Sequence, residues 1–144
     1  MIVAGTGEKR FLEIVFFNWN DDRPITPAFR PADYLECPEG TVLAAEFYSG
    51  RFELGNSRED FTDSQIPPHS AEIVKLYGYD SSRAYVVGST GHYSMGEEIS
   101  RMELDGNGDV WIEAELPCGE PVRYRILLPD DGSGNRKVCT KTVQ

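Results

Sequence analysis

"EISRMELDGNGDVWIEAELPCGEPVRYRILL", residues 98–128, is the stretch that decides the predicted fold. Within it, apolar and polar residues alternate along three short runs, at 98–104, 110–116 and 122–128. Alternation with a period of two is typical of β-strands that are buried on one face. The segment "DGNGD" between the first two runs supplies the glycines that a tight turn needs. The stretch therefore predicts a three-stranded antiparallel meander with one apolar face.

The pairing register of this meander follows from the same alternation. Placing Leu104 opposite Val110 and Leu116 opposite Val122 collects the apolar side chains on the inner face. The outer face then carries opposite charges directly across from each other, with Glu115 facing Arg123 and with Glu113 facing both Arg125 and Arg101. Such pairs favour this register over one that is shifted by a single residue.

The rest of the chain shows no long helical period. Short runs rich in Val, Ile, Phe and Tyr are separated by Pro, Gly, Asp and Asn, and they predict further strands near 10–18, 41–48, 70–77, 84–87 and 137–143. Prolines make 24–40 a predicted linker between strands, in which 30–35 forms one helical turn. Because the apolar face of the meander must pack on another layer, the sequence predicts an all-β fold, an antiparallel two-sheet β-sandwich, as a single domain over 1–144.

The composition restricts the partners of the protein. The formal net charge is −10, which argues against binding to the phosphate backbone of nucleic acids and against docking on anionic membranes. No apolar run approaches the roughly 20 residues that span a bilayer. The N-terminal residues also lack the charged and apolar segments of a signal peptide. We therefore predict a cytoplasmic location, with secretion left open.

The sequence predicts no metal and no cofactor. Three cysteines occur without CxxC spacing, at Cys37, Cys118 and Cys139. Reduced thiols are expected, and one disulfide with a leftover thiol stays open. His69 and His92 have no marked third ligand for zinc. "DGNGD" begins like a calcium loop, but Val110 and Leu116 stand where that loop needs Gly and Glu.

The glycine-rich run "YVVGSTGHYSMG", 85–96, raises the question of nucleophilic catalysis. Ser89 or Ser94 would need His92 as a base and an orienting acid that no spacing marks. The run is neither a G-x-S-x-G elbow nor a P-loop. A short buried strand followed by a glycine-bearing connection is the favoured interpretation, and a small Ser/His hydrolase ranks last among the functions considered.

Aromatic residues are the remaining candidates for a ligand site. A sugar ring stacks its C–H face on an aromatic ring, and the candidates for carbohydrate binding are Trp111, Trp19 and Tyr48. Trp111 falls on the charged outer face of the predicted meander, which is an unusual place for a tryptophan. The alternative, cross-strand packing of Trp111 against Leu127, is favoured over a ligand contact.

Four segments carry a resemblance that covers roughly residues 10 to 130. They are "FLEIVFFNWNDDRP" (11–24), "AAEFYSGRFELG" (44–55), "IPPHSAEIVKLY" (66–77) and "VVGSTGHYSMG" (86–96). In this order they resemble a first strand with its "FNW-acid" turn, a hairpin, a "Pro-His-Ser" turn and a following segment of one domain. That domain is the C-terminal β-sandwich of glycoside hydrolases of the α-galactosidase (melibiase-like) group. Tyr48 departs from the family pattern, which usually has Trp there.

The resemblance implies a chain without catalysis of its own. In such enzymes the catalytic carboxylates belong to a preceding TIM barrel of about 250 residues, and none of them maps onto this sequence. The expected function is that of an accessory β-sandwich domain, not an enzyme by itself, which packs against or completes a catalytic barrel in cis or in trans. The alternative is an independent carbohydrate-binding module with an oligosaccharide as its ligand.

Overall fold

A computed structural model of the chain describes residues 2–4, 11–34, 40–62, 65–91, 96–117 and 119–144. These ranges contain β-strands and no α-helix. The strands are β1 Ile2–Ala4, β2 Phe11–Asn18, β3 Ala28–Phe29, β4 Thr41–Glu46, β5 Arg51–Asn56, β6 Phe61–Thr62, β7 Ser70–Gly78, β8 Tyr85–Ser89, β9 Ile99–Leu104, β10 Val110–Ala114, β11 Val122–Leu127 and β12 Val138–Val143. Among the described residues, no helix has the length and apolar character needed to cross a membrane.

The chain forms two compact units. The first contains Met1–Glu46 and Phe52–Asp80, and the second contains Phe47–Arg51 and Ser81–Gln144. The short segment 47–51 thus belongs to the second unit although both of its flanks belong to the first. The single domain that the sequence predicts over 1–144 stays a prediction.

In the first unit, a five-stranded sheet packs against a two-stranded one. The strand order of the larger sheet is β1-β2-β7-β4-β5, and the smaller sheet pairs β3 with β6. Alternate residues of β2, β4 and β7 point to one face and meet Phe29 and Phe61 from the smaller sheet. The buried cluster consists of Leu12, Phe29, Val42, Ala44, Phe61, Val74 and Leu76.

In the second unit, β11 is the central strand of a three-stranded sheet with the order β12-β11-β8, and β9 pairs with β10. Val122, Tyr124 and Ile126 alternate along β11 and are buried. The Tyr124 hydroxyl donates a 2.7 Å hydrogen bond to Glu98, which directly precedes β9. Both units therefore consist of antiparallel sheets packed on each other, which confirms the predicted all-β sandwich class.

The predicted register of the hairpin between 98–104 and 110–116 is confirmed. Leu104 lies opposite Val110, and Arg101 lies opposite Glu113. The Asp105 carboxylate accepts hydrogen bonds from two backbone N–H groups of its own turn, at Asn107 and Asp109. A bulge after Glu113 is the one departure from the predicted register.

The predicted pairing of 110–116 with 122–128 is wrong. Both edges of β11 are occupied by other strands, since Arg125 lies opposite Thr140 of β12 and Gly88 of β8. Its inward-facing side chains are fully buried, and β8, which is buried along its whole length, supplies the neighbour on one side. The three-stranded meander that the sequence predicted therefore does not form. Glu113 and Glu115 are consequently not the cross-strand partners of Arg125 and Arg123.

The remaining predicted strands coincide with strands of the structure within one or two residues, and the helical turn predicted at 30–35 is a 3₁₀ turn at Pro31–Asp33. The linker predicted at 24–40 is wrong in part, because it contains β3 and an isolated bridge between Ile25 and Ile66. Residues 35–39 of this linker lie outside the described residues.

Candidate functional site

A shallow depression of about 200 Å³ lies in the second unit. Its lining comes from the turn after β4, from the end of β8 and from the outward-facing side of β11 and β12. The lining residues are Tyr48, Ser49, Gly50, Gly88, Ser89, Thr90, Arg123, Arg125 and Thr140. The depression thus sits on one face of the three-stranded sheet and is bounded by the turn 47–50.

Two glycines bring the turn close to the sheet. Gly50 has a φ of +68°, a conformation that L-residues with side chains rarely adopt. A Cβ on Gly88 would lie 2.9 Å from the Cα of Gly50 and 3.2 Å from the carbonyl oxygen of Phe47. No side chain fits between these two backbones. The sequence run that suggested an active-site loop therefore uses Gly88 for close backbone approach.

Arg125 fastens the turn to the central strand. Its Nη1 donates a 2.9 Å hydrogen bond to the carbonyl oxygen of Gly50. The stem of the same side chain also lies beside this glycine, because a Cβ on Gly50 would be 3.0 Å from Cδ of Arg125. Arg123 is two residues away on β11, so its side chain emerges on the same face of the sheet. Both arginine side chains are exposed.

Neither guanidinium is neutralised within the part of the chain that the structure describes. No ion pair joins Arg123 or Arg125 to a carboxylate there, and the lining of the depression contains no Asp and no Glu. Thr140 and Gly88, the cross-strand neighbours of Arg125, carry no charge either. The depression is therefore a locally cationic site on a chain whose net charge is −10.

Hydroxyl groups complete the polar lining. Thr90 and Arg123 are joined twice, because the Thr90 N–H donates to the Arg123 carbonyl at 3.0 Å and the Arg123 N–H donates to Oγ1 of Thr90 at 2.9 Å. Oγ of Ser89 accepts a 3.0 Å hydrogen bond from the N–H of Gly91, which engages this buried hydroxyl in the loop backbone. Oγ of Ser49 accepts from the N–H and Nε of Arg51.

Tyr48 supplies an aromatic surface at the depression. The residue is 47% exposed, and its ring packs edge-on against the ring of the buried Phe47, with centroids 6.4 Å apart. Tyr48 thus has a buried packing partner and keeps about half of its surface accessible to solvent. Of the three predicted carbohydrate-binding residues, Tyr48 is the one that lines this depression.

Trp111 is exposed on β10 of the same unit but does not line the depression. The guanidinium carbon of Arg101 lies 5.6 Å from the centre of its ring, within the range of a cation–π contact. The predicted packing of Trp111 against Leu127 is wrong, because Leu127 pairs with Val138 and Tyr85 in another sheet. The tryptophan therefore packs within its own hairpin.

Trp19 belongs to the first unit, directly after β2. Its ring stacks on that of Phe17, with centroids 5.7 Å apart and planes inclined by 12°, and both rings are exposed. Asn18 separates the two aromatic residues in the sequence. Its buried side chain donates hydrogen bonds to the carbonyl oxygens of Arg23 and Ile66. These bonds fix the turn that presents the aromatic pair.

The remaining sequence candidates do not assemble a catalytic or metal centre in the described residues. His69 contacts Asp21, with Nε2 and Oδ1 3.1 Å apart at the surface. His92, Ser94, Cys37 and Cys118 lie outside the described residues, whereas Cys139 is a free thiol whose pKa is raised, mainly by burial. Within the described ranges, no group of three His, Cys, Asp or Glu side chains is placed to hold a metal ion.

Arg123 and Arg125 were not predicted to be site residues, because the predicted register paired both of them with glutamates. A usable signal was present in "VRYRIL", where two arginines alternate with buried residues on a central strand.

Comparisons with protein-family models, with curated proteins and with solved structures yield no match to this chain. The resemblance to the α-galactosidase group therefore stays a prediction.

Proposed function

We propose that the protein is a non-catalytic β-sandwich module that binds carbohydrate at the depression around Tyr48. The observation that carries this proposal is the accessible Tyr48 ring beside the guanidinium groups and threonine hydroxyls of the sheet face. A pyranose presents C–H groups on its faces and hydroxyls at its edge. An aromatic ring can stack on such a face, while the neighbouring polar side chains form hydrogen bonds with the hydroxyls. Pockets for drug-sized ligands measure about 300–1,000 Å³, and this smaller depression suits about one sugar ring.

Titration with saccharides tests this proposal. We expect galactosides or plant oligosaccharides at millimolar concentration to shift the amide NMR signals of 48–50, 88–90 and 123–125. Tyr48→Ala should weaken binding about tenfold, since aromatic residues dominate binding energy at such sites. Tyr34→Ala is the matched control, because Tyr34 is equally exposed at 45% and lies in the other unit. The absence of any shift at about 10 mM sugar, ten times a 1 mM Kd, would contradict the proposal.

A second candidate function is the one that the sequence resemblance implies, an accessory domain of an α-galactosidase-type glycoside hydrolase that packs against its catalytic barrel. The exposed Phe17–Trp19 stack favours it, because adjoining exposed aromatic rings commonly mark a surface that contacts a partner. The resemblance places these residues in the "FNW-acid" turn of the first strand. On this proposal, the barrel would cover the aromatic pair.

Co-purification with the catalytic barrel of an α-galactosidase-type enzyme tests the second candidate. We expect the wild-type chain to co-elute with the barrel and Trp19→Ala to lose this association. Trp111→Ala serves as the control, since Trp111 is also an exposed tryptophan. The purified chain alone should hydrolyse no aryl galactoside. Turnover above that of a heat-killed sample would refute the non-catalytic assignment in both candidates.

A further inference from the structure

The uncompensated charge of the depression points to the class of saccharide. Arg123 and Arg125 project from alternate positions of one strand, so their Cα atoms are about 7 Å apart. The depression that they line has no acidic residue, and in the described part of the chain no carboxylate pairs with either side chain. A neutral sugar would leave both charges without a counter-charge, whereas an anionic sugar would supply one.

The two arginines differ in the hydrogen bonds that their side chains make. Nη1 of Arg125 is bound to the carbonyl oxygen of Gly50, so its guanidinium is held in place before a ligand arrives. A guanidinium presents five N–H donors, and the bond to Gly50 uses one of them. The side chain of Arg123 has no hydrogen-bond partner in the described residues, although its backbone is fastened to Thr90. Arg125 thus offers a donor group that is already held by a hydrogen bond, and Arg123 offers one that no hydrogen bond holds in the described residues.

We propose that the depression selects a saccharide with a carboxylate, a uronic acid residue, whose sugar ring lies on Tyr48 and whose carboxylate binds Arg123 and Arg125. A planar guanidinium matches a planar carboxylate through paired N–H···O hydrogen bonds, which are stronger than bonds between neutral groups. Thr140, opposite Arg125 on β12, provides a hydroxyl for the remaining polar edge of the sugar. This inference rests on the proposed carbohydrate-binding function and specifies its ligand.

The test compares four probes by NMR titration at about 50 mM salt: D-galacturonate, D-galactose, D-galactose 6-sulfate and inorganic phosphate. We expect galacturonate to bind about tenfold more tightly than galactose. The preference should shrink at about 500 mM salt, because the site is open to solvent and exposed charges are screened. Galacturonate and galactose share their ring, so the comparison isolates the carboxylate.

Charge variants identify the residues that are responsible. Arg123→Gln should remove most of the preference for galacturonate, measured within the variant as the ratio of its affinity for galacturonate to its affinity for galactose. Arg136→Gln is the matched control, since it removes the same charge from an exposed arginine that does not line the depression. Tyr48→Ala should weaken both sugars alike. These variants separate the contribution of charge from that of ring stacking.

The possible outcomes distinguish this inference from the function on which it rests. Equal affinity for galacturonate and galactose overturns the anionic ligand and leaves carbohydrate binding in place. Tighter binding of the sulfated sugar overturns the carboxylate assignment, and phosphate that competes as well as galacturonate overturns recognition of a sugar. If none of the four probes shifts the signals of the depression, the proposed function itself fails.

Discussion

The Arg125 side chain donates a 2.9 Å hydrogen bond to the carbonyl oxygen of Gly50. This bond connects the central strand of the second unit's three-stranded sheet to the turn 47–50. Because the turn presents Tyr48 to the depression, one hydrogen bond connects the stability of the sheet to the shape of the candidate site.

Arg125→Met keeps most of the aliphatic stem that packs beside Gly50 and removes the donor. We expect a loss of about 1 kcal/mol in the free energy of unfolding, the usual net worth of such a hydrogen bond. Urea denaturation measures this loss, with Arg136→Met as the exposed control that should stay within about 0.5 kcal/mol of wild type. Equal stability of both variants would show that the bond to Gly50 contributes nothing.

Gly88→Ala should destabilise the protein by about 1–3 kcal/mol, because its Cβ would meet the backbone of the turn at 2.9 Å. The atoms in the way belong to backbone, which cannot rotate aside as a side chain can. Gly106→Ala is the control, since a Cβ there has no neighbour within 4 Å. Thermal or urea unfolding of the two variants checks the prediction. It would be refuted by a Gly88→Ala protein as stable as the Gly106→Ala protein.

Tyr124→Phe removes the hydroxyl that donates to Glu98 at 2.7 Å from a fully buried ring. The expected loss is about 1–2 kcal/mol, because the carboxylate oxygen forfeits a charge-assisted bond. The other carboxylate oxygen accepts the N–H of Gly96 at 3.1 Å, so the NMR signal of Gly96 should shift as well. Tyr34→Phe, at an exposed position, should leave stability unchanged. An unaltered Gly96 signal would argue that Glu98 does not couple the two groups.

Lys137→Ala should raise the pKa of Asp131. The hydrogen bond from Lys137 holds the pKa of Asp131 well below its ordinary value of 3.8, with smaller contributions from Ser133. Since the folded-state pKa is the lower one, this pair stabilises the fold above about pH 4, and its contribution is lost as the pH falls through the folded-state pKa. Carbon-detected NMR titration of the Asp131 carboxyl measures the change. In the variant, the pKa of Asp131 should stay somewhat below its ordinary value, because the N–H of Ser133 still donates a hydrogen bond to the carboxylate. An unchanged pKa of Asp131 in the Lys137→Ala protein would contradict this prediction.

Local patterns of the sequence predicted the strands and one hairpin, because alternation and a five-residue turn act over short distances. The pairing of Leu104 with Val110 follows from "DGNGD" and is confirmed. The strands that pair with β11 could not be predicted in the same way. An apolar face such as that of Val122, Tyr124 and Ile126 packs equally well beside several strands. The choice between them depends on contacts that are distant in sequence.

The same limit applied to the site. Tyr48 was predicted from its chemistry, and it lines the depression. Arg123 and Arg125 were assigned to glutamate partners because the wrong neighbour was placed beside β11. The depression joins residues near position 50 with residues near 88, 124 and 140, and no pattern within one segment specifies that combination.

The segment Phe47–Arg51 interrupts the sequence of the first unit but belongs to the second. A fragment that starts at Ser81 would contain β11 and both of its neighbours, yet it would lack Tyr48 and the acceptor for Arg125. A terminal strand can be added back as a separate peptide with one free end. Segment 47–51 differs, because both of its ends continue into other strands. Inheritance of the site by recombination therefore requires the exchange of two separate stretches of the gene.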